Sequence, residues 1–468
     1  MAQRSTIRKF TTLTTATPTQ TWHYTACFRA ASLFKNTHVL HISQGTQVLY
    51  QRSVFTRIGP IMHNSGQSWL TPARGIAAVL ILVTVGLAGY ASYFGPGSLY
   101  PKPVRALLRE GGMAYLRPEN KQDLPKAIEC YTKALAILDE LGASDPKHAP
   151  GVSHVTGLVA RIASVYSEMG DLDNAIRAYK DVLQRILGSQ ELDDPKVLVR
   201  QLLDKNLPAE RRANILRALG CANKLAETYE TRAARWKRRS ILLADPAVAA
   251  ASADVKEAGH WYHWCLQLVM LTYQNHFNHL QLEKELPPTN IPSFDPSTLP
   301  RYFSIDIVTS LFYNAATYFA SNAQFQLAVP LLQRALDLLQ PGTCNGKETD
   351  VCRSAILMSH LANAAVMTSD LSGAEKRTID GLALAKKFPK NNDCLSSFVA
   401  LTYDLGAVYE AAGRSNSARV QYRQALEVAK SIRDEGAERL AIEALERVPQ
   451  QSNAEAETET ETEAETKA

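Results

Sequence analysis

From residue 103 to about 447 apolar side chains recur at spacings of three and four. No run alternates apolar with polar as a half-buried strand would. Helix after helix is therefore predicted along this stretch. One triplet returns within it: an alanine, a large ring or leucine four later, and a small residue three after that. It occurs as Ala127/Tyr131/Ala134, Ala175/Tyr179/Val182, Ala328/Leu332/Ala335 and Ala418/Tyr422/Ala425. Each triplet puts three side chains on one helix face. The small ones admit a neighbouring helix and the large one fills the groove beside it. A helix ending in an aromatic precedes each: Tyr115, Tyr166, Tyr318 and Tyr409. The turns Glu168-Met169-Gly170-Asp171 and Ala411-Ala412-Gly413-Arg414 leave nine residues from tyrosine to alanine, against ten after Tyr318 and twelve after Tyr115. A weaker copy of the unit stands at Ala374/Thr378/Gly381. Successive alanines lie 48, 46 and 44 residues apart (Ala127 to Ala175, Ala328 to Ala374, Ala374 to Ala418).

Other patterns bound this array. Residues 75–94, GIAAVLILVTVGLAGYASYF, carry no charge and no proline. At about 1.5 Å rise per residue they reach roughly 30 Å, the thickness of a bilayer core, so one transmembrane helix is predicted there. Tyr90, Tyr93 and Phe94 suit its interface, and Gly95-Pro96-Gly97 ends it. Helical runs are also predicted at 209–243 and 254–285. Pro287, Pro288, Pro292, Pro296 and Pro300 then make 286–300 a loop or linker. The expected organisation is thus a leader over 1–74, a span over 75–94, an N-terminal array over 103–285, the proline-rich link, and a C-terminal array over 301–447. Residues 448–468, with six glutamates in 453–468, form a disordered acidic tail.

Charge changes the picture. Residues 1–74 hold eight Lys/Arg and no acid, and the first acidic residue is Glu110. The formal +5 of the chain therefore hides a net −3 over the 394 residues that follow a basic leader. That leader, rich in Thr, Ser and Arg, has the composition of a mitochondrial presequence, with Arg29-Ala30-Ala31-Ser32 as a processing site. It has no fold to present a nucleic-acid footprint. With the leader in the matrix and the span in the inner membrane, the array faces the intermembrane space. The other reading is a disordered cytosolic tail ahead of a signal anchor, which puts the array in the cytosol.

Candidate chemistry is sparse. Seven cysteines are scattered without a CxxC pair. Cys344 and Cys352 flank a short loop, and both a disulfide between them and two reduced thiols stay open. His260, His263, His276 and His279 form two H-x-x-H pairs without the HExxH order, and packing explains them better than a metal. No nucleophile elbow, phosphate loop or dinucleotide fingerprint occurs. No enzyme activity, cofactor, metal or nucleic acid is expected.

The segments VARIASVYSEMGDLDNAIRAYKDVL (159–183) and LTYDLGAVYEAAGRSNSARVQYRQAL (401–426) resemble the tetratricopeptide repeat (TPR) family, whose usual period is 34 residues. The resemblance implies an all-α, TPR-like helical-hairpin solenoid with long repeats. It implies packing roles for Tyr115, Ala127, Tyr131, Ala134, Tyr166, Ala175, Tyr179, Tyr318, Ala328, Ala335, Gly406, Tyr409, Ala418, Tyr422 and Ala425. It also places Phe312, Tyr313, Phe319, Tyr403 and Asp404 at first-helix positions that line a partner-binding groove. Packing of those rings against a neighbouring helix is the competing account. No first helix carries the Lys-x-x-x-Asn of the family's carboxylate clamps. Leader, span and array together resemble the fungal TPR-containing adaptor of the mitochondrial i-AAA protease. That implies a non-enzymatic subunit, tethered by one span in the inner membrane, which binds non-native proteins and presents them to the protease. The alternative is an import receptor or scaffold of the outer membrane with a cytosolic domain.

Overall fold

The computed structural model describes residues 100–117, 122–144, 152–240, 246–283, 294, 298–339 and 348–448. The leader, the apolar stretch 75–94, Cys344 and the acidic tail beyond Val448 lie outside the described residues. Among the described residues every regular element is a helix, and they fall into two units divided between Pro288 and Thr289.

The first unit holds α1 (Lys102–Tyr115), α2 (Leu124–Ser144), α3 (Val152–Met169), α4 (Leu172–Asp193), α5 (Pro195–Leu203), α6 (Ala209–Ser240) and α7 (Pro246–Glu283). Helices pair as neighbours: α1 with α2, α3 with α4, α6 with α7. The second unit holds α8 (Ile305–Ser321), α9 (Phe325–Leu338), α10 (Glu348–Met367), α11 (Leu371–Ala385), α12 (Asn392–Ala411), α13 (Ser415–Ile432) and α14 (Glu435–Arg447). Here α8/α9, α10/α11 and α12/α13 are hairpins, and α14 packs on α13.

The hairpins share a turn made by the backbone. Asp171 N–H donates to the Tyr166 carbonyl (2.9 Å) while Gly170 N–H donates to that of Ser167 (3.0 Å). This pair of bonds closes a helix end when one residue adopts left-handed φ. The same pair recurs at Ala323/Gln324, Ser369/Asp370, Gly413/Arg414 and Arg433/Asp434. The left-handed residues are Gly170, Gly413, Ala323, Ser369 and Arg433, with φ from 58° to 79°. In three of the five turns the next residue is aspartate, which caps the following helix: Asp171 to Asn174 N–H, Asp370 to Gly373 N–H, and Asp434 to Ala437 N–H. One turn thus ends a helix and starts the next.

This turn corrects a register. The carbonyl that accepts the longer turn bond belongs to Phe319, not Tyr318. Phe319 is therefore the counterpart of Tyr166 and Tyr409, and it stands nine residues before Ala328 like them. The interval of ten after Tyr318 came from counting off the neighbouring ring.

The triplets pack as their spacing requires. Ala127, Ala134, Ala175, Ala328, Ala335, Ala418 and Ala425 are fully buried, and Tyr131, Tyr179, Tyr318 and Tyr422 nearly so. A Cβ on Gly406 would stand 2.7 Å from the Tyr422 ring, and one on Gly111 2.7 Å from the Tyr131 ring. The two glycines are what lets each ring lie against its partner helix. The weak copy at Ala374 is intact in packing: Ala374 and Thr378 are buried, and Gly381 admits Leu401, 2.8 Å from where a Cβ would be.

At its described positions the proline-rich loop packs against α8. Phe294 is buried edge-on against Phe312, 5.2 Å between centroids, and Leu299 is buried too. Cys352 is bonded to Cys394, with Cα atoms 4.6 Å apart. A short loop made Cys344 the nearer partner in sequence. In stacked hairpins the neighbour in space is one repeat away, and 42 residues bring α12 beside α10.

Candidate protein-binding site

The first helices of the second unit's hairpins, α8, α10 and α12, meet along a polar seam. Tyr313 Oη lies 3.0 Å from His360 Nε2, with the rings edge-on. One repeat on, the Ser359 hydroxyl donates to Asp404. Arg353 pairs with Asp306 (2.5 Å) across the same two helices as Tyr313 and His360. Tyr313 and Ser359 hold the same place relative to their turns, as do His360 and Asp404. The seam is thus one contact repeated, and it occupies the positions expected to face a partner.

Of the five residues expected to line the groove, three are interior. Phe312 is fully buried, one place before the groove register once Phe319 marks the turn. Tyr403 lies tilted against Tyr422, 5.1 Å between centroids, in one cluster with Leu440 and Ala444 of α14. Asp404 is 3% exposed, and burial pushes its carboxyl up to about 7 against the pull of Ser359 and Asn363. The Asn363 amide sits beside that carboxyl, but its buried Nδ2 closes no hydrogen bond of good geometry. Tyr313 and Phe319 keep partial exposure.

The half-buried turn tyrosines put their rims at the surface. Tyr115 donates to Glu168 (2.5 Å) beneath the Arg161 guanidinium, 4.0 Å over the ring. Burial and that carboxylate raise its phenol to about 12. Arg414 lies 4.2 Å over Tyr409 in the same way. Tyr422 donates to Glu410, which also binds Arg447 of α14 at 2.8 Å.

The open apolar surface of the second unit is elsewhere. A groove of about 360 Å³ runs between α11, α12 and α13, walled by Ile379, Leu382, Phe398 and Leu405. Ile379 is 48% exposed, and the Lys386 ammonium stands 5.8 Å over the Phe398 ring at one end. Gln421 and Gln424 form the far wall. The sequence carried a signal for it. On α11 the buried stripe is Ala374, Thr378, Gly381 and Ala385; Ile379 stands outside it, and Leu382, half-buried against Leu401, turns an edge to the groove. A larger hollow of about 560 Å³ lies at the 387–393 loop, with Lys387, Lys390 and Asp393 in its wall. Its charges and its place at a loop make it the poorer seat for an apolar chain segment.

Among the described residues no three His, Cys, Asp or Glu side chains gather as a metal site. His263 Nε2 lies 2.9 Å from Gln267, and His260 sits edge-on to Trp261. Among the described residues no helix is long and apolar enough to cross a membrane.

Hairpins of this geometry, with small-residue stripes, a shared turn and an open apolar groove, define a helical-repeat scaffold. One of its hairpins is of the tetratricopeptide kind: the family model described as Tetratricopeptide repeat matches residues 158–186, across α3 and α4. No curated protein matches the sequence. Among solved structures, BtubC (BKLC) from P. vanneervenii is 18% identical, covering 66% of this chain and 92% of its own, with a TM-score of 0.41. A Podosopora anserina putative kinesin light chain with nearly identical TPR-like repeats is 16% identical, covering 59% and 95%, with a TM-score of 0.34. The P58(IPK) TPR domain is 16% identical, covering 74% and 99%, with a TM-score of 0.22. Likeness at these scores carries no argument about function.

Proposed function

We propose that this protein is a non-enzymatic, membrane-tethered adaptor that holds apolar segments of non-native proteins and presents them to the i-AAA protease of the mitochondrial inner membrane. The observation that carries it is the apolar groove between α11, α12 and α13. Stacked hairpins bury most apolar faces and leave an extended surface for a partner. Ile379 is too exposed there to serve packing alone. The basic, acid-free leader and the charge-free stretch 75–94 support the tether. A tether raises the effective concentration of the groove near a protease anchored in the same membrane.

The test is capture of an unfolded apolar polypeptide, such as reduced and alkylated casein, by the full chain and by Ile379→Asp. A buried charge in an apolar site costs far more than one at an exposed position. The variant should keep its melting temperature and lose capture by ten-fold or more, while still co-isolating with the protease. Undiminished capture by the folded variant would remove the groove from the function.

A further inference from the structure

The one helix that follows the apolar stretch directly has two unlike faces. On α1 the buried side is Val104, Gly111 and Ala114. Opposite them, at helical spacings of three and four, stand Lys102, Ala106, Arg109, Met113 and Leu116. All are exposed, Met113 by 63% and Leu116 by 53%, among the most exposed large apolar residues of the described chain. Arg117 extends the stripe past the helix end. The acid at its edge, Glu110, is turned aside by its 2.8 Å pair with Lys126 of α2. Cations at Lys102, Arg109 and Arg117 beside two exposed apolar side chains match the surface of a membrane, where apolar groups enter the headgroup boundary and cations meet lipid phosphates.

We propose that this face of α1 docks on an anionic lipid surface. The inference rests on the tether reading above. The apolar stretch ends at Phe94, and only residues 95–101 separate it from Lys102. Seven residues reach at most about 25 Å, so α1 cannot leave the vicinity of the headgroups once the span is inserted. Docking would fix the orientation of the first hairpin on the bilayer, where a flexible tether would leave it free.

The experiment places a polarity-sensitive dye on this face and reads it against lipid charge. Ala106→Cys is labelled in the full chain with Cys27 and Cys344 changed to Ser, which leaves three buried thiols and the Cys352–Cys394 bond. The chain is reconstituted in vesicles of phosphatidylcholine alone or with phosphatidylserine added. A blue shift with phosphatidylserine, weaker in neutral vesicles and lost in Lys102→Glu/Arg109→Glu/Arg117→Glu, is expected. A dye at Glu443→Cys, in the second unit, should not respond. An unshifted dye at position 106 in anionic vesicles would overturn the proposal and leave this face to a protein partner. So would a shift that survives charge reversal. Flotation reports the tether separately. A chain that fails to float with neutral vesicles contradicts the span, while its dye, mixed with anionic vesicles, still decides the fate of the α1 face.

Discussion

The α6/α7 pair and the hairpins of the second unit are both antiparallel helices, yet they are held by different means. The second unit repeats one short device: a left-handed residue, a stripe of small residues, and a seam contact passed from one first helix to the next, with an aspartate cap added at Asp370 and Asp434. The α6/α7 pair has helices of 32 and 38 residues, and α7 carries a buried stripe of its own, Ala258/Tyr262/Cys265. It buries Tyr262, Tyr273, Leu219, Leu225 and Leu268, and holds its ends with side chains that reach far along the chain. Arg232 bonds both Asp254 of α7 and Asp173 of α4, and the two carboxylates hold its guanidinium charged. Trp264 donates to the Leu192 carbonyl (3.0 Å), and Arg235 to that of Gly170 (2.6 Å). The second unit adds a repeated turn to pairs of similar reach, such as Tyr313–His360 and Ser359–Asp404.

The Cys352–Cys394 bond belongs to the second unit alone, so its removal should separate the two regions most widely. Cross-linking across 42 residues restricts the unfolded chain by about 4 kcal/mol in the loop-entropy account. Cys352→Ser with Cys394→Ser should lower the unfolding temperature of the second unit by several degrees and leave the first unchanged. Calorimetry of the full chain with and without reductant checks this. Equal shifts in both transitions would mean the regions are not independent.

Asp404 gives the second unit a pH dependence that the first does not share. Its carboxyl titrates near 7 in the fold against 3.8 when unfolded, so between those values the folded state holds a proton that the unfolded chain has lost. Stability from this group is full below about pH 4 and falls as pH rises to 7. Asp404→Asn keeps an acceptor for Ser359 without the charge. It should flatten that decline and raise stability above pH 7 by a few kcal/mol at most. Unfolding followed from pH 4 to 8 checks it, and an unchanged slope would show that Asp404 is not the group responsible.

The smallest effect concerns the turn. Ser369 takes a left-handed φ of 63° where the α3/α4 and α12/α13 hairpins use glycine. Ser369→Gly relieves the Cβ clash and should stabilise the second unit by about 1 kcal/mol, read as a rise of a few degrees. A fall would mean that the serine side chain supplies something glycine lacks.

These differences explain what could be read from sequence. The triplets and the glycine turns were legible because turn chemistry and helix period are local. The turns at Ala323 and Ser369 were not, since neither residue announces left-handed backbone, and the groove register of α8 slipped by one in consequence. Phe312 therefore looked like a groove ring and is a core ring. Tyr403 and Asp404 hold groove positions by count, but α14 covers the first and α10 the second. The disulfide was hidden because stacking, not chain distance, chooses partners. The groove at Ile379 and Leu382 was present as apolar residues outside the buried stripe, a signal that gains meaning once the stripe is known.

The account turns on where the array stands relative to the membrane. Protease added to intact mitochondria should spare residues 103–447, and rupture of the outer membrane should expose them while the matrix stays closed. Fragments bearing the second unit should then appear, recognised by an antibody to α12 and α13. Digestion of the array in intact organelles would place it in the cytosol and contradict an adaptor that serves a protease of the inner membrane.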